Sequence, residues 1–82
     1  MTVRVLIVDD QKPFRQAARM VVDATDGFEV IGESETGEDS IEKARSLEPD
    51  LVLMDVNLPG INGLDATRQI LSESDEYPPT RC

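Results

Sequence analysis

The 82-residue sequence has no histidine, no tryptophan and a single cysteine, Cys82. Because histidine is absent, the chain has no histidine-based zinc site, no serine–histidine hydrolase machinery and no phosphohistidine of its own. A single cysteine forms no internal disulfide. We therefore expect a fold that is stable without one and that suits a reducing compartment.

Long apolar runs are also missing. No run approaches the roughly 20 residues that a membrane-spanning helix needs. The short apolar stretch near the start ends in two aspartates, which does not match the layout of a signal peptide. We therefore expect the protein to lie in the cytoplasm, away from membranes.

Positive charge is scarce in this chain. Eight Lys and Arg residues stand against 17 Asp and Glu residues, which gives a net charge of -9 at pH 7. Nucleic acids and anionic membranes attract positive surfaces, so this balance argues against direct binding of either by this segment. The apolar fraction of 39% is that of a globular chain, and the length allows one small domain.

The apolar residues that are present alternate between strand-like and helix-like patterns. Continuous apolar runs at 3–8 and 51–54 are typical of strands buried on both faces of a parallel sheet, and a weaker alternation over 28–33 favours an edge strand. A helical pattern follows each strand. The positions that mark these three helices are Phe14, Ala17, Ala18, Val21 and Val22, then Ile41, Ala44 and Leu47, then Leu64, Thr67, Ile70 and Leu71.

The resulting order is β-α-β-α-β-α, which predicts an α/β fold with parallel strands and right-handed crossovers. Residues 80–82 are expected to begin a further strand. Among the turn residues, we expect Pro59 and Gly60 to shape a loop and Gly63 to serve the turn into the third helix. For Gly37 we favour a cap of the second helix, and the alternative is that it lets backbone approach the site.

Three aspartates follow two of the predicted strands. Asp9 and Asp10 end the first strand, and Asp55 ends the third. Ligands of open parallel sheets bind beyond the carboxyl ends of the strands, so we expect these carboxylates to share one crevice. Carboxylates at such short distances from one another disfavour joint ionisation unless a cation lies between them. Mg²⁺ is the cation that best fits carboxylate and carbonyl oxygens together with water ligands. The alternative, solvated turns or helix caps, fits a single aspartate better than this pattern.

The aspartates belong to longer motifs, namely VLIVDD at 5–10, PDLVLMD at 49–55, LPG at 58–60 and NGL at 62–64. With these motifs the chain resembles, over essentially its whole length, the receiver domain of bacterial two-component response regulators. The resemblance implies a flavodoxin-like, doubly wound parallel sheet with strand order 2-1-3-4-5. It implies that residues 1–82 are a receiver domain incomplete at the C-terminus, with the first three βα units.

The resemblance also implies a role for each site residue. Asp55 is the phosphoacceptor and attacks a phosphohistidine on a partner sensor histidine kinase. The implied metal site consists of Asp9, Asp10, Asp55 and Asn57. Asp10 binds Mg²⁺ directly, Asp9 acts largely through a bound water, and Asn57 supplies its backbone carbonyl. Residue chemistry agrees, because an ionised carboxylate attacks phosphorus without a base and the cation neutralises the developing charge. The implied function is a phosphoacceptor module that relays a signal, not an enzyme with a separate substrate.

The sequence departs from the family pattern in its last part. The family has a threonine or serine after strand four and a lysine after strand five, and neither Thr80, Lys12 nor Lys43 falls in the corresponding region. If the sheet stops at its third strand, an apolar strand lies at the edge. We therefore expect an isolated 82-residue chain to form a homodimer or another association through that edge strand, to aggregate, or to remain partly unfolded. A lysine at Val52 or Leu53 would weaken the dimer if the edge is the interface.

Two other functions compete with the phosphoacceptor module. The first is an aspartyl-phosphate hydrolase, an enzyme with a D-x-D pattern whose second aspartate transfers a proton. Asn57 stands at that position here and cannot transfer a proton, which argues against this function. The other alternative is an interaction fragment that binds a kinase or a receiver relative without being phosphorylated. The similarity is greatest to receivers that precede a helix-turn-helix output domain, so any DNA binding would belong to a segment beyond this one.

Overall fold

The computed structural model describes residues 2–72, which form strands and helices in strict alternation. The strands are β1 (Val3–Val8), β2 (Phe28–Ser34) and β3 (Leu51–Met54), and the helices are α1 (Lys12–Asp23), α2 (Gly37–Leu47) and α3 (Gly63–Ser72). The predicted α/β pattern is confirmed. The further strand predicted at residues 80–82 lies outside the described residues.

The three strands form a parallel sheet with the order β2-β1-β3. β1 lies in the centre, where Val5 pairs with Leu51 and Val8 pairs with Met54 of β3. The pairing of β1 with β2 shifts by one residue after Val5, so that Leu6 lies opposite Gly32. The order matches the first three positions of the predicted 2-1-3-4-5 sheet, and β2 is an edge strand as predicted. The carboxyl ends of β1 and β3 therefore lie side by side.

One face of the sheet, which we call the packed face, carries the larger core. Alternate residues of β1 and β3 point to this face, where α2, α3 and the loop after β3 cover them. The buried residues of this cluster are Leu6, Val8, Ile41, Ala44, Val52, Leu58, Ala66 and Ile70. Met54 and Ile61 pack against it and are partly buried. The loop that follows β3 is thus part of the core.

The opposite face, which we call the open face, is covered by α1 alone among the described elements. Its buried cluster consists of Val5, Ile7 and Val22. Leu51 and Leu53 of β3 lie on this face and are only partly buried. The reason is that α1 packs over β1 and β2, which leaves the β3 side of the face without a cover in residues 2–72.

The predicted helical faces are only partly buried. In α1, Ala18 and Val22 lie against the sheet, but Phe14 and Val21 are 58% and 67% exposed. In α3, Ile70 is buried, whereas Leu64 and Leu71 are exposed. Periodicity identifies a helix and its apolar stripe, but burial requires a neighbouring element over each part of that stripe. None of the helices in residues 2–72 is long and apolar enough to cross a membrane.

The prediction that Gly37 caps α2 is wrong. The cap is Thr36, whose side-chain oxygen accepts a hydrogen bond from the Asp39 amide at 3.0 Å. Gly37 is the first residue of α2, and a Cβ at this position would overlap the carbonyl oxygen of Ile61. The glycine therefore allows the loop after β3 to approach the start of α2.

Candidate functional site

The three aspartates named in the sequence lie together at the carboxyl ends of β1 and β3. The Asp55 amide donates to the Val8 carbonyl at 2.9 Å, and the Asp9 amide donates to the Ser34 carbonyl at 3.0 Å. These bonds continue the pairing of the sheet past the strand ends and place the aspartates side by side. One carboxylate oxygen from each of Asp9, Asp10 and Asp55 lies within 4.8 Å of the other two.

Local turns orient two of these carboxylates. Oδ1 of Asp9 accepts a hydrogen bond from the Gln11 amide at 2.9 Å, and Oδ1 of Asp55 accepts one from the Asn57 amide at 3.0 Å. In such Asx turns, the backbone amide two residues later in the chain holds the aspartate side chain through a hydrogen bond. Asp9 and Asp55 are half-buried, while Asp10 is exposed. Each carboxylate keeps acceptor positions for a ligand in the cleft.

The aspartates line a cleft of about 630 Å³ that also contains Asn57. Its other wall is apolar and belongs to the open face, with Phe14, Ala18 and Leu53 among the lining residues. A water molecule occupies about 30 Å³ of liquid volume, so the cleft has room for a hydrated cation and further small groups. Asp10 at its rim is exposed to solvent.

Glycines hold the loop after Asp55 close to the sheet. The Gly63 amide donates to the Val56 carbonyl at 3.1 Å, and a Cβ on Gly63 would overlap the Asp55 carbonyl oxygen. Gly60 has a φ of 74°, in the left-handed region that glycine adopts without strain. Gly63 is the first residue of α3, as the turn prediction required, but its close approach to Asp55 was not foreseen.

The donor set of the cluster fits a hard divalent cation. All the side-chain donors are carboxylate oxygens, which suit Mg²⁺, Mn²⁺ and Ca²⁺ better than metals that prefer nitrogen or sulfur ligands. The repulsion among three nearby carboxylates favours a bound cation. Asn57 lines the same cleft.

A second polar cluster lies nearby, at the end of β2. Ser34 is buried, and its hydroxyl donates to Oδ2 of Asp39 at 2.8 Å. Lys43 also contacts that oxygen, at 3.1 Å. The hydrogen bond from Ser34, with a smaller contribution from Lys43, lowers the pKa of Asp39 although partial burial opposes this effect. This cluster joins β2 to the first two turns of α2.

Sequence reasoning missed Arg15, which is buried beneath the loop after β1. Its guanidinium contacts the carboxylates of Glu33 and Glu35 and the backbone carbonyl of Asp9. The available signal was its position at helical spacing with Ala18 and Val22, since a charged residue on a buried stripe needs partners.

Comparison with known proteins places this geometry in a family. The family described as the response regulator receiver domain matches residues 5–80. The chain belongs to this family. The identification as a receiver is confirmed, and so is the parallel, flavodoxin-like fold, because solved receiver domains superpose on it with TM-scores up to 0.87.

Three relatives illustrate how far the similarity extends. The response regulator GacA of Pseudomonas viridiflava is 49% identical over 69 residues, which are 84% of this chain and 32% of that protein. The response regulator domain of Thermotoga maritima CheB has a TM-score of 0.87 at 32% identity over 90% of this chain and 55% of that one. A LuxR-family response regulator from Aurantimonas sp. SI85-9A1 has the same TM-score at 31% identity, over 94% of this chain and 55% of that one. This receiver thus spans about a third of the length of the GacA protein.

Proposed function

We propose that this receiver is the phosphoacceptor module of a two-component phosphorelay, with Asp55 as the residue that carries the phosphoryl group. The observation that supports this proposal is the convergence of Asp9, Asp10 and Asp55 within 4.8 Å in an open cleft. Asp55 is also followed directly in the chain by the loop that packs into the core through Leu58. A change of charge at Asp55 would therefore act both on the other two carboxylates and on this loop.

The proposed cofactor is Mg²⁺. Asp10 and Asp55 would hold it through their carboxylates, Asn57 through its backbone carbonyl, and Asp9 largely through a water. When bound, the cation offsets the negative charge of the phosphodonor and of the transferring oxygens. The turn at Asp9 and the exposure of Asp10 agree with these different roles.

In the proposed reaction, a carboxylate oxygen of Asp55 forms a bond to phosphorus while the phosphorus–nitrogen bond of a phosphohistidine breaks. The electron pair stays on the imidazole nitrogen, and the product is an aspartyl phosphate. This chain has no histidine, so the phosphohistidine belongs to a partner, for which we propose a sensor histidine kinase. The Asn57 amide holds Oδ1 of Asp55, which orients the nucleophile.

We further propose that the module acts in the cytoplasm and associates through the edge strand β3, together with the part of the open face beside it. Leu51 and Leu53 are incompletely covered there, and Phe14 of α1, which lines the same cleft as Leu53, is exposed. The net charge of -9 opposes association, but screening limits its reach to about 8 Å at physiological salt. The same surface favours the second candidate, an interaction fragment that binds a kinase or a receiver relative without phosphorylation.

The test uses a small acyl phosphate as donor and intact-mass measurement of the 82-residue chain. We expect one added phosphoryl group, which is lost when EDTA removes the metal and when Asp55→Asn replaces the nucleophile. Asp50→Asn is the matched control, because Asp50 lies at the opposite end of β3, where its Oδ2 accepts a hydrogen bond from the Arg4 amide. Label that survives Asp55→Asn would contradict the proposed acceptor, and complete absence of label with retained kinase binding would favour the interaction fragment.

A further inference from the structure

Arg15 is the only buried charged residue among residues 2–72, with 7% of its surface exposed. A buried charge is destabilising unless it is paired and hydrogen-bonded. Nε of Arg15 contacts Glu33 at 3.3 Å, and Nη2 contacts Glu35 at 3.1 Å. The two carboxylates come from the end and the exit of β2, so the guanidinium is held in place from the neighbouring strand.

The remaining contact of Arg15 points toward the acidic cluster. Its Nη1 donates to the backbone carbonyl of Asp9 at 2.8 Å. That carbonyl belongs to the peptide unit that joins Asp9 to Asp10, and a peptide unit is planar. A hydrogen bond that fixes the carbonyl therefore fixes the orientation of the whole unit, and with it the direction in which the two aspartates leave the backbone.

We propose that Arg15 is a positioning residue for the cation site: it fixes the Asp9–Asp10 peptide and so aims both carboxylates into the cleft. The inference rests on the proposed function, since it assumes that the acidic cluster binds a divalent cation. Arg15 touches neither the cation nor the phosphoryl group in this account. It acts through the backbone, in the way that residues behind metal ligands orient those ligands.

The sign of the effect separates positioning from electrostatics. Removal of a positive charge near a cation site should by itself strengthen cation binding or leave it unchanged. Loss of a positioning contact should weaken it. Arg19 provides the matched control, because it binds the same Glu33 and also Asp23, and no described contact joins it to Asp9 or Asp10.

The experiment is a titration of the 82-residue chain with Mn²⁺, which takes the same oxygen ligands as Mg²⁺. Binding is measured from the relaxation rate of water protons. We compare the unaltered chain with Arg15→Gln, Arg15→Lys and Arg19→Gln, and circular dichroism confirms that each chain is folded at the temperature used. We expect the dissociation constant to rise about tenfold in Arg15→Gln. We expect a smaller rise in Arg15→Lys, which keeps the charge but loses the planar fork, and no rise in Arg19→Gln.

Equal or tighter Mn²⁺ binding by Arg15→Gln would overturn the inference while leaving the proposed function intact. If Arg15→Gln does not fold, Arg15→Lys decides the matter, and binding by that variant as tight as in the unaltered chain would overturn it. Failure of the unaltered chain to bind Mn²⁺ would instead overturn the proposed function and this inference with it.

Discussion

The two faces of the sheet are built from the same strands but are covered to different extents. On the packed face, Val52 is 1% exposed beneath α2, α3 and the loop after β3. On the open face, its neighbours Leu51 and Leu53 are only partly buried, because α1 covers β1 and β2. The two faces therefore differ in the elements placed over them, and the sequence of β3 does not reveal this difference.

The acidic cluster lies where the two faces meet. The cleft that contains Asp55 has part of its wall on the open face, at Phe14 and Leu53. The loop that follows Asp55 packs into the other face through Leu58 and, less completely, Ile61. Asp55 therefore lines an open cleft on one side and, on the other, is followed directly in the chain by a loop that packs into the main core.

The largest expected effect comes from a charge on the packed face. Val52→Lys should destabilise the chain by about 4 kcal/mol or more, because it buries an unpaired ammonium group in the core. A domain of this size has a total stability near the lower end of about 5–15 kcal/mol, so we expect the variant to be largely unfolded. Urea unfolding followed by circular dichroism measures the effect. A folded Val52→Lys chain would show that the packed face is not the main core.

The same substitution one residue later should have a different result. Leu53→Lys places the charge on the open face, where the side chain can reach solvent, so we expect a folded chain with a lower tendency to associate. Of the two positions, Leu53 is therefore the one at which a lysine reports on association, because Val52 is 1% exposed within the core. Light scattering should give a mass above that of the monomer for the unaltered chain and a mass closer to the monomer for Leu53→Lys. A monomeric unaltered chain at high concentration would contradict the proposed association.

The acidic cluster and α1 illustrate what the sequence can and cannot predict. The strands, the helices and the convergence of Asp9, Asp10 and Asp55 at one end of the sheet follow from local patterns and from the rules of parallel sheets. The exposure of Phe14 and the burial of Arg15 do not. Both depend on which elements lie beside α1, and that information is distant in sequence.

The smallest expected effect concerns the contact between β2 and α2, at the edge of the packed face. The folded pKa of Asp39 is lowered, chiefly by the hydrogen bond from Ser34. The unfolded chain therefore binds more protons than the folded chain in mildly acidic solution. The stabilisation is fully present above the unfolded pKa, about 3.9, and is lost as the pH falls through the lower folded value.

Removal of the Ser34 hydroxyl should reduce this dependence on pH. We expect Ser34→Ala to show a shallower fall in the free energy of unfolding between about pH 5 and pH 3 than the unaltered chain. Ser46→Ala is the control, since Ser46 is exposed and its hydroxyl lies 3.5 Å from the Lys43 carbonyl. Identical acid dependence in Ser34→Ala and the unaltered chain would show that the hydrogen bond does not control the titration of Asp39.

The most direct test of the account asks which residue carries the phosphoryl group in the unaltered chain. After reaction with an acyl phosphate and Mg²⁺, borohydride reduction converts the labelled aspartate into a stable alcohol, and tryptic peptides are then sequenced by mass spectrometry. Trypsin separates residues 46–68, which contain Asp55, from residues 5–15, which contain Asp9 and Asp10. We expect reduction at Asp55 alone. Reduction at Asp9, at Asp10 or at any other residue would contradict it.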